Sequence, residues 1–181
     1  MHNTKEFSPI LNLDMFPQKL MGFTYPGDIQ PFINKAYEIE SNYPHEGLEH
    51  FKNIIYTSPY FLDQKFPEFI PLRKYIIKIV ELNYKFKCRV QDMWINIYKK
   101  YGYNDYHSHK PCPLVGVLFL KVPSNHSGLN FHNKFNPEQK FNINPPPGSL
   151  ILFEGDQAHS SLPNSTDEEK IVIAFNLEKI D

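Results

Sequence analysis

The chain of 181 residues has only two cysteines, Cys88 and Cys112. Two thiols are too few for a disulfide framework, so both are expected reduced, in a reducing compartment. Arginine is as scarce: Arg73 and Arg89 are the only two among 19 basic residues. A site that needs a fixed cation must therefore draw mainly on lysine. Neither charge sign is in excess, the formal net charge being -1. That excludes a protein built to coat nucleic acid or an anionic bilayer, while leaving small-molecule, peptide or single-base substrates open. The opening "MHNTKEFSPI" lacks the basic and apolar segments of a secretory signal. No apolar run approaches the roughly 20 residues of a membrane span. A cytoplasmic protein is the expectation, with the sequons at Asn125 and Asn164 unused. Internal repeats and low-complexity linkers are missing too, so one domain over residues 1–181 is expected.

What is present changes texture near residue 87. Before it, "FSPILNLDMF" (7–16) reads as a strand, and Asp28 as the cap of a helix through "IQPFINKAYEIES". Pro67 opens a second helix, on which Phe69, Leu72, Ile76, Ile79 and Val80 recur at helical spacing. The intervening 42–66 is aromatic and loop-like, either a lid or a cover for the core. Residues 1–87 thus read as helical and strand support. After Lys87 come "CRVQDMWINIY", "PLVGVLFLKV", "GLNFH", "SLILFE" and "KIVIAFNLE", separated by Gly, Pro and Asn clusters. Short strands joined by turns after two helices predict a mainly β, α+β domain. Its core, residues 88–181, is expected to be an antiparallel jelly-roll with helices on one outer face.

The chemistry begins at "NDYHSHKPCP" (104–113). His107 and His109, two apart on an extended segment, point the same way and can share one ion. Alone, such a pair reads more simply as two solvated histidines. The third candidate is His159, in "GSLILFEGDQAHSSLPN", which follows an apolar strand and a polar bend. In a jelly-roll, early and late strands lie side by side at one mouth, where the three could converge. Imidazoles suit Fe(II), Zn(II) and similar ions. His2, His45, His50, His126 and His132 are poorer candidates, the last two flanking what reads as a solvated hairpin. Lys170, eleven residues after His159, opens the final strand and reads by default as a solvated strand-end charge.

Together these elements resemble a family. "WINIYKKYGYNDYHSHKPCPLVGVLFLKVP", "SGLNF", "PPPGSLILFEGDQAHSSLPNS" and "KIVIAFN" are similar, over residues 93–177, to the Fe(II)- and 2-oxoglutarate-dependent dioxygenases. More narrowly they resemble the small bacterial and phage branch distantly related to prolyl hydroxylases. The resemblance implies a double-stranded β-helix core and Fe(II) held by His107, His109 and His159. It implies 2-oxoglutarate as co-substrate and O2 as oxidant. It also implies a peptide or protein side chain, such as proline, as the class of the unidentified substrate. A phage-encoded protein would act in the host cytoplasm. Two departures stand out. His109 occupies the position that the larger family fills with aspartate or glutamate, so Asp105 and then Asp156 follow it as candidates for the third ligand. Lys170 stands where the narrow branch more often has arginine.

The resemblance further implies that Lys170 pairs with the distal carboxylate of 2-oxoglutarate, with Arg89 as the alternative anchor. Tyr98 could donate its hydroxyl to that carboxylate, and Asn96, on the same strand face, could bind co-substrate or substrate. Asn176 is a further pocket candidate, whereas Trp94 reads as structural. A cupin-type three-histidine protein that uses no 2-oxoglutarate, and a metal-free structural β-protein, remain the alternatives. The first leaves Lys170 and Tyr98 without a task.

Overall fold

The computed structural model describes residues 8–15, 18–46, 56–124 and 128–180. In chain order the strands are β1 (Leu11–Met15), β2 (Gln18–Thr24), β3 (Tyr56–Thr57), β4 (Cys88–Tyr98), β5 (Asn104–His107) and β6 (Leu114–Lys121). They continue as β7 (Leu129–His132), β8 (Lys140–Ile143), β9 (Ser149–Glu154), β10 (His159–Ser161) and β11 (Lys170–Lys179). The helices are α1 (Gln30–Asn42), α2 (Leu62–Lys65) and α3 (Ile70–Tyr84). Seven strands form a large sheet in the order β1-β2-β9-β6-β11-β4-β3, and four form a small one, β5-β10-β7-β8. Every pairing is antiparallel. This is the mainly β jelly-roll with flanking helices that the sequence predicts. Among the described residues no helix is long and apolar enough to cross a membrane.

Period-two alternation in the central pair β4 and β11 separates two cores. Met93, Ile95 and Ile97, with Ile171, Ile173 and Phe175, face outward onto α1 and α3. There they meet Phe32, Ala36, Ile39, Leu72, Ile76, Ile79 and Val80. The opposite face points at the small sheet. Tyr98 and Val172 pack there with Val115, Phe119, Leu129, Phe131, Ile151 and Phe153. Both faces of the large sheet are thus covered, which is why its strands read as nearly unbroken apolar runs. The alternation matters most where the inner face stops being apolar: Trp94, Asn96, Lys170 and Asn176 share it and line one cavity.

Local differences from the sequence reading have local causes. Pro67–Phe69 forms a 3-10 turn, and the α-helix proper starts at Ile70, with Pro71 in its first turn. Asp28 Oδ1 does accept the Gln30 amide, at 2.9 Å, beside Pro31 in the first turn of α1. Strand β2 escaped the sequence reading because its residues are buried on both sides, so no alternation marks it. Of the loop 42–66, residues 47–55 lie outside the described residues. Its described part is not all irregular: β3 pairs with the edge of β4, and Tyr56 and Leu62 enter the helix-side core. Tyr56 and Leu62 thus cover the core, while Thr57 and Tyr60 between them line a cavity on the other face.

Gly116 on β6 lies opposite both Phe175 and Leu152. A Cβ there would sit 2.3 Å from Phe175 Cζ and 2.8 Å from Leu152 Cδ2, so the Phe175 ring occupies the space a side chain would need. Alanine is normally the better strand residue, yet Gly116→Ala should destabilise by about 1–3 kcal/mol through overpacking. Urea denaturation checks this. The Phe175→Leu background should shrink the penalty, because the two sites share one volume.

Candidate metal centre

Strands β5 and β10 pair with His107 directly opposite His159. Opposed residues of an antiparallel pair project to the same face, which brings the two imidazoles together. Their ring centroids are 4.2 Å apart. His109 lies just beyond β5, in a turn fastened at both ends: its amide donates to the Gly155 carbonyl at 2.7 Å, and its carbonyl accepts from Cys112 at 2.8 Å. A Cβ on Gly155 would come within 2.0 Å of the Cys112 carbonyl oxygen, so this close approach requires glycine. The turn sets the His109 ring 5.0 Å from His107 and 5.2 Å from His159, centroid to centroid. One nitrogen from each of the three lies within 4.8 Å of the others. Trp94 stacks on His109 at 6.0 Å, and Phe153 meets the His159 ring edge-on at 4.8 Å.

The tautomers are set by the backbone. His107 Nδ1 lies 2.7 Å from the Asp105 carbonyl, and His159 Nδ1 lies 3.0 Å from the Gln157 carbonyl. A carbonyl only accepts, so each Nδ1 carries the proton and each Nε2 carries the lone pair that a metal needs. Burial favours the neutral form of all three rings. It lowers the His107 pKa, and it lowers that of His159 well below the usual value, aided by the neighbouring His107 and His109. His109 falls to about 4, from burial first and then from the charge on His107, with Asn176 opposing. Three neutral imidazoles in this arrangement could hold Fe(II), Zn(II) or a related ion.

Neither alternative carboxylate belongs to the cluster. Asp156 is committed elsewhere, to Lys134 at 3.0 Å and to Gln18. Asp105 is exposed and serves His107 through its backbone carbonyl. The histidines form one end of a cavity of about 570 Å³ that Asn96, Tyr98, Lys170 and Asn176 also line. Lys170 is 5 % exposed, which corrects the default picture of a solvated strand-end charge. Its Nζ donates to the Gly128 carbonyl at 3.0 Å and lies 5.2 Å from the centre of the Tyr98 ring. No carboxylate pairs with it among the described residues, and burial lowers its pKa to about 8. It is still charged at pH 7. The alternative anchor, Arg89, is at the surface and paired with Glu178 at 2.6 Å.

Asn96 and Tyr98, two apart on β4, are both buried on the pocket face, and burial raises the Tyr98 pKa. The Thr57 hydroxyl donates to Asn96 Oδ1 at 3.0 Å. Thr57, Tyr60, Asn104 and Ser161 also line the cavity, and the sequence reading missed them. Only the register of β3 on β4 and of β10 on β5 brings them there, and no motif announces it. Burial bears on two further readings. His132 is 5 % exposed, not solvated, because Nδ1 meets the Pro137 carbonyl and Nε2 the Ser160 hydroxyl. Asn164 is also buried, its amide donating to the Glu168 carbonyl at 2.7 Å, which suits an unused sequon. Asn125, His2, His50 and His126 lie outside the described residues. Cys88 and Cys112 are free thiols.

No protein-family model matches the chain. No curated protein matches it either. Solved structures do. SnoK from nogalamycin biosynthesis, a non-heme alpha-ketoglutarate-dependent carbocyclase, superposes with a TM-score of 0.73 at 12% identity, over 88% of this chain and 79% of that one. The viral collagen prolyl hydroxylase vCPH of Paramecium bursaria Chlorella virus-1 gives 0.66 at 15% identity, over 90% and 96%. A Pseudomonas putida prolyl-4-hydroxylase gives 0.59 at 12%, over 90% and 93%. At these identities the likeness is one of fold. The chain has the jelly-roll of the 2-oxoglutarate- and Fe(II)-dependent oxygenases, the fold that the sequence resemblance implies.

Two predictions follow from the geometry. His107→Ala and His159→Ala should each abolish stoichiometric Fe(II) binding, measured anaerobically, whereas His109→Asp should keep or tighten it. Full iron retention in either alanine variant would remove the site. The second concerns pH. The His109 pKa is depressed from 6.5 to about 4 by folding, and the other two rings are depressed as well. Protons therefore bind the unfolded chain first. The stability these neutral rings contribute is complete above pH 6.5 and declines as pH falls through 6.5 toward about 4. The metal-free protein should lose Tm across that window, and His109→Gln should lose less.

Proposed function

We propose that residues 1–181 form a single-domain Fe(II)- and 2-oxoglutarate-dependent oxygenase that hydroxylates a substrate C–H. The observation that carries this reading is Lys170, a buried cation without a carboxylate partner among the described residues, in the same cavity as three imidazoles disposed to bind metal. An isolated buried charge is costly, so a site that keeps one has an anion to receive. A 2-oxoglutarate dianion supplies the complement, one carboxylate toward the metal and the other toward Lys170.

His107, His109 and His159 would hold the iron. Bound together, the metal and 2-oxoglutarate supply O2-dependent oxidation of a C–H bond, with release of succinate and CO2. The remaining work falls to the chain. Lys170 binds the distal carboxylate, and Tyr98, whose ring centre lies 5.2 Å from the ammonium, offers its hydroxyl to the same group. Burial of Tyr98, Phe119 and Val172 keeps water from that end, strengthening the ion pair. Three neutral ligands leave the metal at +2, which a dianionic co-substrate offsets. The prolyl hydroxylases among the structural neighbours favour a peptide or protein side chain as substrate, and the two free thiols suit a cytoplasmic setting. A cupin-type protein that binds only metal would leave Lys170 and Tyr98 unexplained.

Anaerobic addition of Fe(II) and 2-oxoglutarate should produce a weak visible charge-transfer band, and in air succinate should form in an iron-dependent manner. Lys170→Ala should raise the apparent constant for 2-oxoglutarate at least about tenfold, about 1.4 kcal/mol or more, with iron binding nearly unchanged. Lys170→Arg should recover only part, since the guanidinium fork reaches differently from an ammonium. Unaltered 2-oxoglutarate binding in Lys170→Ala would remove the co-substrate reading and bring the cupin-type alternative forward.

A further inference from the structure

We propose that Asp92 and Asn176 are positioning residues for His109: Asp92 locks the Asn176 amide so that its oxygen receives the ring N–H of His109 that faces away from the metal. This rests on the metal-centre reading above.

The three imidazoles are not supported alike. His107 and His159 each have Nδ1 held by the carbonyl two residues earlier. His109 sits past the end of β5, and its neighbouring backbone is used to fasten the turn to Gly155 and Cys112. Its ring must find support from another element, and β4 and β11 provide it. Trp94 covers the face of the ring. Asp92 lies two residues before Trp94 on β4, and its Cα partner on β11 is Asn176.

The orientation of an amide is ordinarily ambiguous, but here a carboxylate decides it. Asn176 Nδ2 donates to Asp92 Oδ2 at 3.1 Å. Flipping the amide would set its oxygen against a carboxylate oxygen, two acceptors facing each other. Asn176 Oδ1 must therefore point away from Asp92. It is buried, without a well-aligned hydrogen bond, and the Asn176 side chain approaches the His109 ring. A buried acceptor in want of a donor lies beside a ring whose second nitrogen must carry a proton once the first is a ligand. Forming that bond fixes the tautomer and, through Asp92, places an anion one amide away from the ring. Such outer partners raise ligand basicity, and losing one commonly costs 10–100-fold in metal affinity. In a centre whose ligands bring no charge, Asp92 does part of what a ligating carboxylate would do.

The test is anaerobic Fe(II) affinity of the full chain, with the absorption of the Co(II)-loaded protein as a second readout of ligand geometry. Asp92→Asn and Asn176→Leu should each weaken Fe(II) binding about 10–100-fold and alter the Co(II) bands in the manner of His109→Ala. The exchange variant Asp92→Asn with Asn176→Asp, which keeps one amide donating to one carboxylate and sets the carboxylate against the ring, should retain or tighten binding. Parent-like affinity and Co(II) bands in both Asp92→Asn and Asn176→Leu would overturn the proposal while leaving the metal centre standing. A parent protein that binds no Fe(II) would instead remove the metal centre itself. Should Asp92→Asn fail to fold, the exchange variant decides: a loss as large as that of Asn176→Leu overturns the assignment.

Discussion

The antiparallel pairing of β4 with β11 is the constraint on which the site depends. Its register sets Lys170 opposite Tyr98, Val172 opposite Asn96, Ala174 opposite Trp94 and Asn176 opposite Asp92. All eight project toward the small sheet, because the alternate residues are held by the helices on the other side. A slip of one residue would send Lys170 into the helix-side core and bring Ile171 to the cavity. The depth of that apolar layer, from Ile95 and Ile173 to Ile76 and Ile79, makes such a slip prohibitive. Packing on one face thus fixes chemistry on the other.

The small sheet contributes the second half by a shorter device. Only four residues of β5 and three of β10 are strand, yet they carry two of the three imidazoles. Few ladder bonds hold them, so side-chain and turn contacts supplement the pairing. The Asn104 amide donates to the Ser161 hydroxyl at 3.0 Å, and the Tyr101 amide to the Asn164 carbonyl at 2.7 Å. His132, buried behind the sheet, bonds the Ser160 hydroxyl at 2.7 Å, next to His159. A histidine that the sequence places in a solvated hairpin thus braces the strand that carries a candidate ligand.

Much of the centre was legible in the sequence because His107 and His159 lie on strands with a definite period, "SLILFE" and a short polar bend returning a strand to the same mouth. His109 lies past the strand end, and its turn, tied to Gly155, brings its ring to that mouth where alternation alone would not. The β4 and β9 boundaries could be read directly, since β-branched and aromatic runs end there in Gly, Pro or Lys clusters. Lys170 was legible as an anchor only through resemblance: nothing in "DEEKIVI" distinguishes a buried ammonium from an exposed one. Strand β2 and the Asp92–Asn176 pair were illegible for a different reason. The first is apolar throughout, and the second depends on a partner 84 residues away. The Asp156 alternative also looked reasonable along the chain. It fails in space because Lys134 and Gln18 hold it.

The electrostatic pattern of the cavity favours the proposed oxygenase reading over a cupin-type one. A metal-binding jelly-roll needs only a ligand cluster, and the surrounding wall can be neutral. Here a +1 charge is buried in the wall of the same cavity, against the desolvation that pulls its pKa down to about 8. The ring faces of Tyr98 and Phe119 and one carbonyl stabilise it in part. Neither supplies a counter-charge, and no carboxylate pairs with the cation among the described residues. In the proposed reading, metal at the histidine end would add a second positive centre. Two positive centres lining one cavity would favour an anion with charge at both ends and repel a cationic occupant. A short dicarboxylate satisfies both at once, whereas a monocarboxylate or a neutral sugar satisfies one or neither. Within that proposal, a neutral histidine at position 109 in place of a ligating carboxylate would sharpen the selection, because it would leave the metal end one unit more positive.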